Sequence, residues 1–327
     1  MMENIMNTRQ LGKNGPYITE IGLGTWAIGG PWGWGWGPQD DQQSIETIRR
    51  AFDLGINWID TAPVYGLGHS ETVVGKAVKG YRKEIFLATK CGLVWDDRRR
   101  VTNNNQPQSI KKECENSLRR LSVDYIDLYQ IHWPDSRTSV EESWGAMIQL
   151  KKEGKVRYIG VSNFDVSLLQ KCHEIEPVQS LQPPYSMLHK ILYPEVEKEI
   201  LSWCKDHDVG VVAYGPLQAG LLTGNFDEKR LAQLPKDDWR HRSEFFKEPM
   251  FSKSLQFTKQ LKPISDKYTK SLTELAIAWV LMNASITSAI VGARQPKQID
   301  ANVGGANWRL TQLDMDSISR ISLSIFE

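Results

Sequence analysis

Short apolar segments alternate with amphipathic segments along almost the whole chain, and this alternation constrains the fold more than any other feature. The apolar segments have the length of β-strands, and the segments between them repeat apolar residues at helical spacing. Strand–helix alternation predicts a parallel sheet with helices outside it. The predicted strands cover residues 18–24, 57–62, 85–90, 126–132, 157–163, 179–182, 210–214 and 286–291.

Eight such units in 327 residues favour a closed (β/α)8 TIM barrel over an open sheet. We therefore predict an α/β fold in which residues 1–327 form a single barrel domain, with an N-terminal β-hairpin at 8–19 and an extra C-terminal helix at 314–324. Residues 217–250 break the rhythm, because they are charged and contain few apolar side chains. Two capping boxes are predicted to begin helices: Thr138 with Glu141, and Ser271 with Glu274.

The glycines near the N-terminus do not form a dinucleotide-binding turn of the Rossmann type. Gly22, Gly24 and Ala27 match that motif as text, but the motif works only when a helix opens directly on the glycines. A tryptophan–glycine repeat at residues 32–37 follows instead and predicts an irregular loop. Exposed tryptophans need apolar surface to cover, so they either line a pocket, which we favour, or pack on the barrel rim.

Composition excludes several classes of protein. The 40 basic and 39 acidic residues nearly cancel, so nothing global attracts the chain to nucleic acid or an anionic membrane. The four cysteines form no Cys-x-x-Cys pair, which favours reduced thiols over disulfides or a zinc site. No signal peptide is visible, and no apolar stretch approaches the ~20 residues of a membrane helix. We expect a cytoplasmic monomer that holds no metal.

Polar residues lie at or just past the ends of six different predicted strands. The active site of a (β/α)8 barrel lies at the carboxyl ends of its strands, so we expect these side chains to converge on one rim. A stiff turn at Pro63 holds Tyr65 close to the first of them. The six residues are Asp60, Lys90, His132, Asn163, Gln182 and Tyr214.

Asp60, Tyr65, Lys90 and His132 together suit acid–base chemistry at a carbonyl group. A lysine beside the phenol stabilises the phenolate and lowers the pKa of Tyr65, and a carboxylate keeps that lysine charged. A histidine within hydrogen-bond distance can position a carbonyl oxygen or relay a proton. The sequence offers no nucleophile in a known motif and no second metal ligand at a suitable spacing from His132. A hydride from a bound nicotinamide is the attacking species that fits.

The order of several short motifs resembles the aldo-keto reductase superfamily along nearly the whole chain. The segment from Asp60 to Glu71 resembles the first signature of that family, with Asp60-Thr61-Ala62, Tyr65-Gly66 and Gly68-His69-Ser70-Glu71. The later motifs are Thr89-Lys90, Gln130-Ile131-His132-Trp133-Pro134, Gly160-Val161-Ser162-Asn163, Gln182-Pro183-Pro184-Tyr185-Ser186, Tyr214-Gly215-Pro216-Leu217, and Gly292-Ala293-Arg294 with Gln298 and Asn302.

The resemblance implies NADPH-dependent reduction of an aldehyde or ketone to an alcohol. Asp60, Tyr65, Lys90 and His132, hereafter the tetrad, would be catalytic, with Tyr65 as general acid. The turn residues His69 and Glu71 are expected to be structural.

The resemblance also implies a binding site for the cofactor, NADPH or its oxidised form NADP+. The nicotinamide amide would contact Ser162, Asn163 and Gln182, and Arg294 would pair with the 2′-phosphate, since a guanidinium binds phosphate in a forked geometry. The expected cofactor-binding residues are Thr25, Trp26, Ser162, Asn163, Gln182, Tyr214, Gly215, Pro216, Leu217, Gly292, Ala293, Arg294, Gln298 and Asn302.

Three residues depart from the pattern of the family, all of them outside the tetrad. Gly215 stands where a serine is common, and Asn225 replaces a frequent lysine. Ala301 precedes Asn302 where many members carry glutamate. Each departure weakens the expectation of one cofactor contact.

The substrate is expected to be a small carbonyl compound or a sugar, in a pocket lined by Trp32, Trp34, Trp95 and Trp133. The same tetrad also serves the opposite direction, so an NAD(P)-dependent sugar or polyol dehydrogenase is the alternative function. A third possibility, ranked last, is a cofactor-sensing channel subunit, for which the sequence shows no docking segment. Residues 217–250 are expected to fold over the cofactor as a lid.

Overall fold

The computed structural model of the chain describes residues 6–236 and 238–327. The strands are β1 (Thr8–Gln10), β2 (Tyr17–Thr19), β3 (Ile21–Gly24), β4 (Trp58–Asp60), β5 (Phe86–Cys91), β6 (Leu93–Trp95), β7 (Val101–Asn103), β8 (Ile126–Ile131), β9 (Val156–Ser162), β10 (Ser180–Gln182), β11 (Gly210–Tyr214) and β12 (Ile286–Gly292). Eight of them are parallel and close into a barrel in the order β10-β11-β12-β3-β4-β5-β8-β9, which confirms the predicted fold.

Helices connect the barrel strands and bury their apolar faces against them. The α-helices are α1 (Asp41–Asp53), α2 (His69–Val78), α3 (Pro107–Leu121), α4 (Val140–Lys152), α5 (Val166–Ile175), α6 (Met187–Leu192), α7 (Ser202–Asp206), α8 (Glu228–Ala232), α9 (Met250–Lys267), α10 (Leu272–Leu281), α11 (Pro296–Ala306) and α12 (Gln312–Phe326). A π-helix at Val196–Leu201 precedes α7, and 3-10 helices occur at Trp26–Ile28, Gln218–Thr223, Trp239–Arg242 and Glu244–Phe246. None of the described helices is long and apolar enough to span a membrane.

The predicted hairpin is formed by β1 and β2, which pair antiparallel. It lies at the end of the barrel where the strands begin, because Gln179, just before β10, donates its amide to the carbonyl of Leu11 at 2.5 Å. Lys13 donates its backbone N–H to Asp208, two residues before β11, at 2.9 Å. The hairpin therefore closes the base of the barrel and leaves the carboxyl ends of the strands free.

The barrel interior is layered, because alternate residues of a strand point to the same side. The lower layer is apolar: Leu11 and Ile18 of the hairpin pack with Trp58, Ala88, Leu128, Val212 and Ile290 from the strands. Two residues further along, the inward positions carry Asp60, Lys90, Gln130 and Tyr214. The apolar layer therefore fills the lower part of the barrel interior, and a polar layer lies above it at the rim.

Two local predictions from the sequence need correction. The helix α4 is capped by Ser139, whose hydroxyl accepts the backbone N–H of Glu142 at 3.2 Å, so the predicted capping box of Thr138 and Glu141 is wrong by one residue. Ser139 also lies three residues before a glutamate, Glu142, and the helix is capped at this position instead. The capping box of Ser271 and Glu274 is confirmed.

The segment at 217–250 is more ordered in the structure than its charged sequence suggests. It contains α8 and three 3-10 helices, and it buries Leu221, Leu222, Phe226, Phe245 and Phe246. Its few apolar side chains pack together and against α9; the rings of Phe226 and Phe246 lie 5.2 Å apart. The segment has too few apolar residues to form a helical repeat, but those it has are enough to form a compact cluster.

Gly22 is a position where the barrel depends on the absence of a side chain. An added Cβ would lie 2.0 Å from Cε2 of Trp58, which is fully buried and donates its indole N–H to Thr19 and Ser288. We expect Gly22→Ala to lower the free energy of unfolding by ~1–3 kcal/mol, the usual cost of overpacking a core. Urea unfolding followed by tryptophan fluorescence measures this.

Gly145 in α4 is the matched control, since nothing lies within 4 Å of its added Cβ. Gly145→Ala should raise the free energy of unfolding by ~0.5–1 kcal/mol, because alanine loses less backbone entropy in a helix. Equal unfolding midpoints for Gly22→Ala and the unmodified protein would contradict the account of the layered interior.

Candidate active site

The structure brings the four residues of the tetrad together at the carboxyl ends of three neighbouring strands. Lys90 is fully buried, and its Nζ donates to Oδ2 of Asp60 at 2.6 Å, the carbonyl of Thr61 at 2.9 Å and the hydroxyl of Tyr65 at 3.3 Å. The imidazole of His132 meets the ring of Tyr65 edge to face, with centroids 5.8 Å apart. The phenol therefore lies between an ammonium and an imidazole.

A tight turn after β4 sets the position of Tyr65. The backbone N–H of Tyr65 donates to the carbonyl of Ala62 at 3.1 Å, and its carbonyl accepts from Ser70 at 3.1 Å, the second residue of α2. Gly66 has φ 65°, and a Cβ there would lie 1.9 Å from the carbonyl oxygen of Gly29. Only glycine fits where the two loops touch this closely.

Glu71 and His69 have partners that tie the turn to its surroundings. Glu71 is buried and accepts from Thr89 Oγ1 at 2.6 Å and from Arg120 Nε at 2.7 Å. His69 is exposed and pairs with Asp41 at 2.7 Å. Because neither side chain contacts the tetrad in these bonds, the contacts agree with the structural role expected for both.

Burial determines the protonation states of the tetrad. It raises the pKa of Tyr65 well above the ordinary value for a phenol, and the negative charge of Asp60 raises it further. It lowers the pKa of His132 well below the ordinary value, and the charge of Lys90 adds to this. At neutral pH the phenol is protonated and the imidazole neutral. The sequence predicts the opposite direction for Tyr65, because it reveals the neighbouring lysine but not the burial.

Burial also lowers the pKa of Lys90, but three effects act against it. The charge of Asp60, its hydrogen bond to Nζ and the charge of Glu71 all favour the ammonium form. The carboxylate of Asp60 is thus the partner that most strongly keeps the buried lysine charged.

A second group of polar side chains surrounds the tetrad at the ends of β9, β10 and β11. Asn163 adopts a left-handed conformation with φ 61°, and its amide donates to the carbonyl of His132 at 3.0 Å and to Ser162 Oγ at 2.9 Å. Tyr214 donates its hydroxyl to Oδ1 of Asn163 at 3.0 Å.

Two further residues contact Asp60. The side-chain amide of Gln182 donates to Oδ1 of Asp60 at 2.9 Å, a contact that the sequence did not predict. Thr25 is buried beside them and donates its hydroxyl to the carbonyl of Asp60 at 3.0 Å.

The residues after β12 are linked to the tryptophan–glycine loop. The guanidinium of Arg294 donates to Gln39 Oε1 at 2.7 Å, to the carbonyl of Trp36 at 3.1 Å and to the carbonyl of Pro38. Gln298 caps the start of α11 by accepting the backbone N–H of Arg294 at 2.7 Å, and Asn302 donates to the carbonyl of Gly292 at 3.4 Å. Ala293 is buried at the same strand end.

One tryptophan ring lies beside Tyr65, and two further tryptophans pack on it. Trp26 lies 6.5 Å from the ring of Tyr65 and packs on Trp36 at 5.4 Å and Trp239 at 4.9 Å, measured between centroids. Trp239 comes from the segment 217–250, where no pattern in the sequence marked it. Of the four residues predicted for the substrate pocket, Trp34 accepts the indole N–H of Trp26 through its backbone carbonyl at 2.8 Å. Trp32 lies in the same glycine-rich loop, Trp95 in the hairpin formed by β6 and β7, and Trp133 directly after the tetrad histidine.

The polar groups and open backbone at this rim fit a nicotinamide dinucleotide. Ser162, Asn163 and Gln182 present hydroxyl and amide groups beside the tetrad, as a carboxamide requires.

Two glycines leave open space beside the backbone at the ends of β11 and β12. Gly215 has φ 72°, and nothing lies within 4 Å of an added Cβ. At Gly292 only the carbonyl of Gly24 lies within that distance, at 3.8 Å. Pro216 and Leu217 continue the strand end at β11. Exposed glycine backbone lets phosphate oxygens approach closely. Among the described residues, no cluster could hold a metal ion.

A (β/α)8 barrel with a buried Asp–Lys pair, a phenol and an imidazole at its rim defines a class of nicotinamide-dependent oxidoreductases. A model of the aldo/keto reductase family matches residues 20–323, and the chain belongs to that family. It is therefore an oxidoreductase that interconverts carbonyl and alcohol groups with a nicotinamide cofactor.

Two relatives and one solved structure show how similar the chain is to other members. It is 40% identical to the aldo-keto reductase YhdN of Bacillus subtilis, over 97% of this chain and 93% of the relative. It is 36% identical to the NADH-specific methylglyoxal reductase of Escherichia coli, over 93% and 94%. The structure of a glycerol dehydrogenase from Gluconobacter oxydans superposes with a TM-score of 0.87 at 38% identity and covers 99% of this chain and 97% of its own.

The lowered pKa of His132 predicts that its imidazole stays neutral through the neutral range. We expect its ring to titrate at a lower pH than an ordinary histidine, whose pKa is ~6.5. NMR titration of protein labelled in the histidine rings measures this, with the urea-unfolded protein as the reference that titrates normally. A midpoint near the ordinary value would show that the imidazole is solvated and charged in acid.

Proposed function

We propose that the protein reduces an aldehyde or ketone to an alcohol, with NADPH as hydride donor and Tyr65 as general acid. The contact that carries the proposal is the hydrogen bond of 3.3 Å from Lys90 Nζ to the hydroxyl of Tyr65, with Asp60 on the other side of Nζ at 2.6 Å. This arrangement supports proton donation by the phenol, because the ammonium stabilises the phenolate that forms.

Each residue of the tetrad has a distinct part in the proposed reaction. The neutral imidazole of His132 donates an N–H to the carbonyl oxygen and orients it toward Tyr65. Tyr65 then gives its proton to that oxygen, and Lys90 stabilises the phenolate. Asp60 keeps Lys90 charged in its buried position. When bound, the reduced nicotinamide supplies the hydride that attacks the carbonyl carbon.

The proposed preference for NADPH rests on Arg294. All three partners of its guanidinium are neutral, a side-chain amide and two backbone carbonyls, so its charge is not cancelled by a carboxylate in these contacts. The nearby positive charge of Arg240 contributes to a lowered pKa of Arg294, after burial. Arg240 itself is paired with the carboxylate of Asp238 at 2.7 Å, so the guanidinium of Arg294 is the cation that we assign to an anion such as a 2′-phosphate.

The alternative is oxidation of a sugar or polyol by NAD(P)+. The similarity to a glycerol dehydrogenase favours it, and the similarity to a methylglyoxal reductase that is NADH-specific favours the reducing direction with the other dinucleotide. Initial rates with NADPH, NADH and their oxidised forms, over a panel of 2-oxoaldehydes, other carbonyl compounds, sugars and polyols, separate these. Faster turnover of polyols with an oxidised dinucleotide at neutral pH would favour the alternative.

Removing the hydroxyl of Tyr65 should abolish most turnover while cofactor binding stays nearly intact. A positioned general acid contributes ~10²–10⁴-fold in rate, so Tyr65→Phe is expected to lower kcat by that factor. Single-turnover oxidation of NADPH measures the rate, and quenching of protein fluorescence measures NADPH binding. Tyr129→Phe is the matched control, because it removes a buried phenolic hydroxyl that contacts the carbonyl of Ile110 in α3 and lies outside the proposed site. A wild-type rate in Tyr65→Phe would refute the mechanism.

Arg294→Gln should weaken NADPH binding much more than NADH binding. A charge-assisted hydrogen bond contributes ~1.5–3 kcal/mol, so we expect the Kd for NADPH to rise about 10- to 100-fold. Arg157→Gln is the control, since it removes a guanidinium near the start of β9, where it pairs with Asp127 at the opposite end of the barrel. It should leave both Kd values unchanged. Equal losses for both dinucleotides in Arg294→Gln would remove the phosphate assignment.

A further inference from the structure

Two buried glutamines continue the hydrogen-bond network of the tetrad into the barrel interior. Gln182 at the end of β10 donates its Nε2 to Oδ1 of Asp60 at 2.9 Å. The same nitrogen lies 3.5 Å from Oε1 of Gln130 on β8. Gln130 is fully buried two residues before His132, directly above Leu128 of the apolar layer. The network thus runs from Gln130 through Gln182 to Asp60, Lys90 and Tyr65.

The direction of these bonds fixes how the amide of Gln182 is turned. A carboxylate can only accept, so the group that faces Asp60 must be the NH2 rather than the carbonyl. Each of the two hydrogens on Nε2 then has its own acceptor, one on Asp60 and one on Gln130. This leaves Oε1 as the acceptor that Gln182 presents to any further donor.

Gln130 has no other task in the described part of the chain. Its own Nε2 is buried without a hydrogen-bond partner there, so burying this amide costs folding free energy. A leucine or methionine of similar size would fill the same space without that cost. The one polar contact it makes is with Gln182, and that contact leads directly to Asp60.

We propose that Gln130 is a positioning residue, which acts through the amide of Gln182 to hold the carboxylate of Asp60 against the ammonium of Lys90. The proposal rests on the proposed function, since it assigns a role within the same tetrad. It also gives Gln182 two roles at once: its NH2 orients Asp60, and its Oε1 accepts from the carboxamide of the nicotinamide. Cofactor binding and the geometry of the ion pair are thereby joined in one side chain.

The charge state of Lys90 reports on this positioning. Asp60, Tyr65 and His132 face its ammonium, and Glu71 acts on it through charge alone. Because Asp60 is the group that most strongly keeps the buried lysine protonated, a displaced Asp60 lowers the pKa of Lys90. The alkaline limb of the pH profile of kcat then moves to lower pH.

Gln130→Met tests the proposal, because it keeps the volume and removes the acceptor. We expect the single-turnover rate of hydride transfer to fall about 5- to 10-fold, the loss of roughly one hydrogen bond. The alkaline limb should move to lower pH, while the Kd for NADPH stays within about twofold. Leu128→Met, two residues earlier on the same strand, is the control for repacking and should change none of these.

A double-mutant cycle with Gln182→Met shows whether Gln130 acts through Gln182. If it does, adding Gln130→Met to Gln182→Met costs little more, whereas independent effects multiply. Wild-type rate and pH profile in Gln130→Met, or multiplying effects in the cycle, would overturn the proposal.

An observation that does not depend on turnover separates this proposal from the proposed function. NMR of lysine labelled at Cε follows the titration of Lys90 directly, with Lys90→Met for assignment. We expect the midpoint in Gln130→Met to lie below that of the unmodified protein. An unchanged midpoint overturns the positioning role even in an active reductase. A shifted midpoint in a protein that reduces no carbonyl compound supports it and refutes the reductase function instead.

Discussion

The buried ion pair between Lys90 and Asp60 is the interaction on which the rest of the site depends. Removing one partner of such a pair typically costs ~3–5 kcal/mol, because the other charge is left buried and uncompensated. Here all three hydrogens of the ammonium have acceptors: a carboxylate, a backbone carbonyl and the phenol of Tyr65. The hydroxyl that we propose as the general acid is therefore one of the groups that make the burial of the charge possible.

The regular alternation of the barrel strands sets the position of this pair. Trp58, Ala88 and Leu128 fill the interior at one level, and Asp60, Lys90 and Gln130 follow two residues later on the same three strands. The hairpin closes the opposite end with Leu11 and Ile18. Since water has no room in a filled apolar layer, the charges above it interact in a medium of low polarity, where each contact is stronger than in solvent.

Much of this could be predicted from the sequence, and the failures have physical causes. Strand periodicity and strand-end polarity located the barrel and the order of its site residues, because both are local patterns. The direction of the pKa shift of Tyr65 was missed, since burial is a property of the packed chain. The contact of Gln182 with Asp60 and the position of Trp239 beside Trp26 join residues distant in sequence. No pattern in a single sequence marks such pairs.

The contacts of Arg294 have a consequence for how cofactor choice can change in a lineage. In the proposed pairing with Arg294, a 2′-phosphate competes with an amide of the chain and two of its carbonyls, all from residues 36–39. Selectivity between dinucleotides then depends on the free-energy difference between Arg294 bonded to this loop and Arg294 bonded to the phosphate. Substitutions in a loop more than 250 positions away along the chain can shift that balance in either direction, so dinucleotide preference can drift while the strand end itself stays unchanged.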